Sequence, residues 1–353
     1  MFATFFFNFS NLPCTLTDPL ICFFVAIQTD MMYHNDKAEL LSQLQSSLFA
    51  FSAPRSEKAD VQEVMQIMAG VLVETLLLFE EPEQGLVHTL QKVASKLDVT
   101  ANMTEDHHLK PAIPSDLDCQ AEQGRLLARE VFEDWLDCAH EFRSFIETFT
   151  TQSLLLWEQD DVSRGMLYNY LYDTAIRYMS YEIAAQELCD IVIEELIGGW
   201  GWTVQDSVVG LSALAGYKLA LSLEGDKCML FFGADLPEHL DSVVHIMTQE
   251  AVRYGTPAGT DWRFGLAAND IPPNPPWDMM CTVEAYADKL LENLPLFDLQ
   301  DHAAACAKAA GRMIAVAAGG EEPDFEPAII KPLAMASITE SYKGVCTKLR
   351  AEA

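Results

Sequence analysis

Apolar residues recur at helical spacing along most of the first two hundred positions. After Ser56-Glu57-Lys58-Ala59-Asp60, a plausible N-cap and acidic first turn, the run VMQIMAGVLVETLLLF is apolar nearly all round. Only Gln66 and Glu74 interrupt it, and it is shorter than a membrane span, which predicts a central buried helix. Pro82 ends that helix, and Leu86, Leu90 and Val93 mark another over 83–97. Leu127, Val131, Trp135, Phe142, Phe145, Phe149 and Leu156 then recur at spacings of three, four and seven. They predict one long helix from Ser115 to about Glu158 with a core-facing stripe. Two further helices are expected over Ser163–Tyr178 and Glu182–Ile197, the second closed by Gly198-Gly199 as a C-cap. Long helices joined by short turns make a bundle the expected architecture.

The texture changes at Gly198-Gly199-Trp200-Gly201-Trp202. Tyr217–Leu223 (YKLALSL) alternates like a strand, and Cys228–Gly233 (CMLFFG) is a second strand-like run. Glu224-Gly225-Asp226-Lys227 between them suits a hairpin turn, and DWRFGLA at 261–267 suggests a third strand. The fold class expected from the pattern is therefore mostly α: a helical, bundle-like part with a small α+β module, a short hairpin plus helices, in the C-terminal half.

The divisions follow the breaks in periodicity. Residues 1–31 form a doubtful N-terminal extension, 32–98 a helical region, 99–116 a linker with two prolines, and 117–199 the long-helix bundle region. The α+β module covers 200–270, and 271–353 holds a Pro-rich spacer (IPPNPPW) followed by Ala-rich helices. The first segment is Phe-rich and has no Lys or Arg before Lys37, so it lacks the positive start of a secretory signal. Met31-Met32 precede an ordinary helical opening, and translation is expected to begin there. Measuring the intact mass of natively expressed protein would decide this, and a mass that includes 1–30 would refute it.

Charge changes the picture more than any motif. The 353 residues carry 53 Asp+Glu against 22 Lys+Arg, a formal net charge of −31. The acids are interspersed with apolar residues instead of running in blocks, so they belong to folded surfaces and not to a disordered tail. Such a surface repels phosphate backbones and anionic lipid, disfavouring direct nucleic-acid or membrane binding, and suits a basic protein partner. Nine cysteines without C-x-x-C or zinc-finger spacing read as reduced thiols in a cytoplasmic protein. No cofactor signature is present: there is no Walker A sequence and no G-x-G-x-x-G after a strand.

The sharpest local feature is an acidic ladder, Glu130, Asp134, Asp137 and Glu141, on one helical face and widened by Glu133. Glu187, Asp190 and Glu194 repeat the arrangement. One ladder spreads four carboxylates over roughly 16 Å at the α-helical rise. Duplex DNA carries one charge per about 1.7 Å of axis, so several aligned ladders would be needed to imitate it. The plainer reading is a solvated face paired with Arg125, Arg129 and Arg143. Asp137-x-x-His140 is half of a carboxylate-x-x-His metal motif, lacking the second motif such sites need. Trp200, Trp202, Asp241 and His245 are the candidates for a pocket between the helical part and the module. Tyr168, Tyr170, Tyr172, Tyr178 and Tyr181 alternate between helix faces, so some of them are expected to be exposed for partner contact.

Three functions remain open at this level. The favoured one is an acidic protein-binding protein of the adaptor, inhibitor or immunity type that engages a basic surface. The others are a DNA-mimic inhibitor and an enzyme using the candidate pocket.

Overall fold

The computed structural model describes residues 61–77, 81–99, 112–132, 139–158, 162–223, 236–257, 275–318 and 327–352. These residues form ten α-helices in chain order: α1 (Val61–Leu76), α2 (Pro82–Leu97), α3 (Pro114–Phe132), α4 (Ala139–Leu156), α5 (Arg164–Ile191), α6 (Val204–Ser222), α7 (Glu238–Arg253), α8 (Pro276–Leu291), α9 (Leu299–Ala318) and α10 (Pro327–Glu352). A π-helical turn, Val192–Ile197, and a short turn, Gly198–Trp200, extend α5.

The described residues show no α+β module: no strand forms among them, and they are helical throughout their regular structure. Tyr217–Ser222, expected as a strand, is the last part of α6. Its period-two alternation is coincidental, because burial follows the helical period. Lys218, Leu219 and Ala220 are all buried in succession while Leu221 is exposed, and Lys218 forms ion pairs with Glu284 at 2.9 Å and Asp288 at 2.6 Å on α8. The runs 228–233 and 261–267 lie outside the described residues, as do 1–60, most of the linker and residues 133–138.

The two helices expected over 163–197 are one. Between Gly165 and Gly198 there is no glycine or proline to break the chain, and Ser180 satisfies itself by donating to the Ile176 carbonyl at 2.9 Å. Ser163 caps the start through the Met166 N–H.

Helix α1 is buried nearly all round, as expected, between α3 and α5. Its two polar interruptions are its anchor points. Gln66 donates to the Tyr170 hydroxyl on α5 at 2.9 Å, and Glu74 accepts from Arg125 on α3 at 2.5 Å. The crossing of α1 and α3 brings backbone against backbone. A Cβ on Gly70 would stand 1.8 Å from the Ala121 carbonyl oxygen, and one on Gly124 would stand 1.9 Å from that of Ile67. In the second half, α6 lies at the centre, packed against α8, α9 and α10, while α9 lies against α5, α6 and α7. Small side chains make that arrangement possible: Ala303, Ala304, Ala305, Cys306, Ala307, Ala309 and Ala310 are all buried, and Lys308 among them is buried too. A continuous apolar core runs from Val64 to Cys346 and joins both halves. Among the described residues no helix is long and apolar enough to cross a membrane.

Candidate functional site

Four helices, α3, α5, α7 and α9, meet at a cluster of buried charges. Each contributes residues one helical turn apart, which places them on the same inward face. From α3 come Asp118, Glu122 and Arg125; from α5, Tyr178 and Glu182; from α7, Glu250 and Arg253; from α9, Lys308 and Arg312.

Glu182 is the hub. Its carboxylate lies 2.7 Å from Arg125 Nη1, 2.6 Å from Arg312 Nη2, 2.9 Å from Lys308 Nζ and 3.4 Å from Arg253 Nη1. Lys308 has no exposed side-chain surface and also meets Asp118 and, at 3.4 Å, Glu250. Glu250 Oε1 accepts from Arg312 Nε at 2.8 Å, and Glu250 Oε2 lies 2.5 Å from Arg253 Nη1. Glu122 pairs with Arg253, and Glu74 extends the cluster outward to Arg125 and the half-exposed Arg129. The Tyr178 ring lies 5.2 Å from Lys308 Nζ and adds a cation–π contact.

The packing is close without every bond being aligned. Arg125 Nη1, Arg253 Nε and Nη2, and Glu250 Oε2 are buried yet make no well-directed hydrogen bond, so charge attraction, more than bond geometry, holds them.

Protonation follows from burial set against partners. Burial would raise the Glu182 carboxyl, but Arg125, Lys308, Arg312 and Arg253 overcome it and hold the group well below the usual carboxylate range. Glu250 is likewise lowered, by Lys308, Arg253 and Arg312 against its burial. Burial also works to neutralise Lys308, and Asp118, Glu182 and Glu250 reverse that and raise it. The Tyr178 hydroxyl is pushed up by burial. These groups all move away from neutrality and stay in one protonation state, which suits a clamp better than a general acid or base. Glu122 differs: burial outweighs Arg253, Arg125 and Lys308 and raises its carboxyl.

A second buried pairing closes the start of α9. Asp301 accepts from Arg177 Nε at 2.7 Å, from the Tyr181 hydroxyl at 2.5 Å and from the Phe297 N–H at 2.8 Å.

The residues singled out from sequence fall elsewhere. Glu130 lies at the end of α3 and Glu141 and His140 at the start of α4, in stretches whose side chains are not described; Glu133, Asp134 and Asp137 lie outside the described residues. Arg129, expected to pair along its own helix, reaches across to Glu74 on α1 instead, while Arg125 adds Glu74 to a longer pairing with Glu122 on its own helix, 3.8 Å away. Glu187, Asp190 and Glu194 are exposed, with Asp190 accepting from Gln186 at 3.0 Å. Trp200 is exposed and Trp202 half-buried, while Asp241 and His245 lie on the exposed face of α7. Of the five tyrosines, Tyr168, Tyr170, Tyr178 and Tyr181 are buried and Tyr172 is half-buried, so the expected tyrosine contact surface is not formed. The hydroxyls of the buried four explain this, since each has an internal partner: the Leu90 carbonyl for Tyr168, Gln66 for Tyr170, Glu122 for Tyr178 and Asp301 for Tyr181.

The buried cluster itself was not read from the sequence. Its one visible signal was Lys308 and Arg312, four residues apart inside an otherwise apolar, Ala-rich stretch. Among the described residues no group of three or more His, Cys, Asp or Glu side chains is placed to hold a metal ion.

The thiols give a direct check on burial. Cys189 and Cys306 are buried, and burial pushes both up to about 12, whereas Cys119 and Cys281 are exposed. Brief alkylation of the native protein followed by peptide mapping is expected to modify Cys119 and Cys281 and to spare Cys189 and Cys306 until denaturant is added. Labelling of Cys306 at the rate of Cys281 would contradict the packing of α9.

No family model matches the chain, and no curated protein or solved structure is similar to it.

Proposed function

We propose that this chain is an acidic binding protein, of the adaptor, inhibitor or immunity type, that engages the basic surface of another protein. One observation carries the reading: the interior consumes cations at least as fast as anions. Among the described residues Arg125, Arg177, Lys218, Lys308, Arg312 and Lys331 are buried, against Asp118, Glu147, Glu182, Asp206, Glu250 and Asp301. Among the described residues burial therefore hides none of the acidic excess. Complementary charge of this size steers association with basic surfaces and raises the encounter rate.

The test is binding of a small basic protein, such as cytochrome c, followed by calorimetry across a salt series. The affinity is expected to fall about tenfold or more between low and physiological salt, as screening shortens the reach of surface charge. An affinity that does not change with salt, or no binding at low salt, would count against the proposal.

A further inference from the structure

Trp200 is the most exposed large apolar side chain among the described residues, with 67% of its surface open to solvent. Its neighbour Trp202 has the opposite role. That ring packs on the core where α6 passes, 3.4 Å from where a Cβ on Gly210 would stand. The turn that carries Trp200 is pinned on both sides. The Trp202 N–H donates to the Leu196 carbonyl at 3.1 Å, and Gly201 takes φ 74°, a conformation suited to glycine. Thr203 and Asp206 then form a reciprocal capping box that starts α6. An exposed indole on a pre-ordered turn is a feature of interfaces, because little ordering remains to be done on binding.

The π-turn decides what lies beside it. The Gly198 N–H donates to the Ile193 carbonyl, five residues back, and a Cβ on Gly199 would lie 3.9 Å from the Glu194 carbonyl. The π-turn runs without a break into the short turn Gly198–Trp200, so Glu194 and Glu195 stand six and five residues before Trp200 on one continuous helical stretch. Glu194 and Glu195 are both exposed, as are Asp190 and Glu187 one and two turns earlier.

We propose that Trp200, with Glu194 and Glu195, is the docking point for an arginine side chain of the basic partner. This rests on the binding function proposed above and names its contact. A planar guanidinium stacks on the indole face while its N–H groups meet the carboxylates, an arrangement that a lysine ammonium fits less well.

The experiment uses the full chain and fluorescently labelled nona-arginine and nona-lysine peptides, with anisotropy read at fixed salt. Trp200→Ala keeps the net charge, and its exposed position leaves the fold intact, which far-UV circular dichroism verifies. It is expected to weaken nona-arginine about threefold to fivefold, to change nona-lysine less, and to be matched by no loss in Trp277→Ala, the exposed-tryptophan control. Salt-sensitive nona-arginine binding that is equal in wild type and Trp200→Ala would overturn this docking point and leave the acidic-binding function standing. Absence of salt-sensitive binding by either peptide would overturn both.

Discussion

Glu182→Gln is expected to cost about 3–5 kcal/mol, because it removes one carboxylate and leaves buried cations without their shared partner. The geometry makes this the most sensitive side chain in the cluster: four cations from three other helices converge on it, and its side chain is almost completely sealed. A loss of that size is a large part of the stability of an ordinary domain. Glu122→Gln provides the contrast, since it belongs to the same cluster and the same chemistry. Its burial already outweighs its partners, so neutralising it is expected to change stability by about 1 kcal/mol or less at neutral pH. Urea unfolding followed by circular dichroism measures both. Equal midpoint shifts in the two variants would show that Glu182 is not the hub.

The two groups also have opposite pH dependence. The folded-state value of Glu182 is lowered, so its stabilising contribution is complete above the ordinary glutamate value of 4.5 and is lost as pH falls through the lowered value. The value of Glu122 is raised, so its contribution is present below 4.5 and is lost as pH rises through the raised value. In the Glu122→Gln variant the stability profile above pH 4.5 is therefore expected to decline less than in wild type. In Glu182→Gln the profile below 4.5 is expected to flatten.

Gly70→Ala is the second large effect. The added methyl would lie 1.8 Å from the Ala121 carbonyl oxygen. That oxygen belongs to a helix backbone and has no flexible end to swing away, so α1 and α3 must separate. The expected cost is about 3 kcal/mol, with the Glu74–Arg125 pair loosened as the helices part. Gly344→Ala on α10 is the control. It has open space around the new methyl and is expected to gain about 0.5–1 kcal/mol from better helix propensity. Thermal unfolding midpoints moving in opposite directions would support this crossing geometry; a neutral Gly70→Ala would contradict it.

Helix identity was legible wherever the apolar period was long and unbroken. α1, α2, α7 and the Ala-rich C-terminal helices follow directly from local pattern, and Pro82 takes the first turn of α2, where its missing N–H is not needed. Short windows misled. YKLALSL alternates well enough for a strand, and only the uninterrupted run from Val204 shows that it belongs to a nineteen-residue helix. The boundary expected between Tyr178 and Glu182 likewise does not form, since α5 runs through it from Arg164 to Ile191.

The acidic excess, the absence of phosphate-gripping clusters and the helical class are properties of composition and period, and sequence alone determined them. Which charges face water is a different kind of question. Arg125 sits among acids on its own helix, yet its closest partners are Glu74 and Glu182, 51 and 57 positions away, with Glu122 of its own helix farther off at 3.8 Å. Lys308 reaches Asp118 across 190 positions. Pairings of that separation depend on how four helices cross, and the crossings depend on where glycine and alanine let backbones approach. Tertiary structure alone therefore decided that Arg125, Lys308 and Arg312 turn inward, each against a carboxylate on another helix.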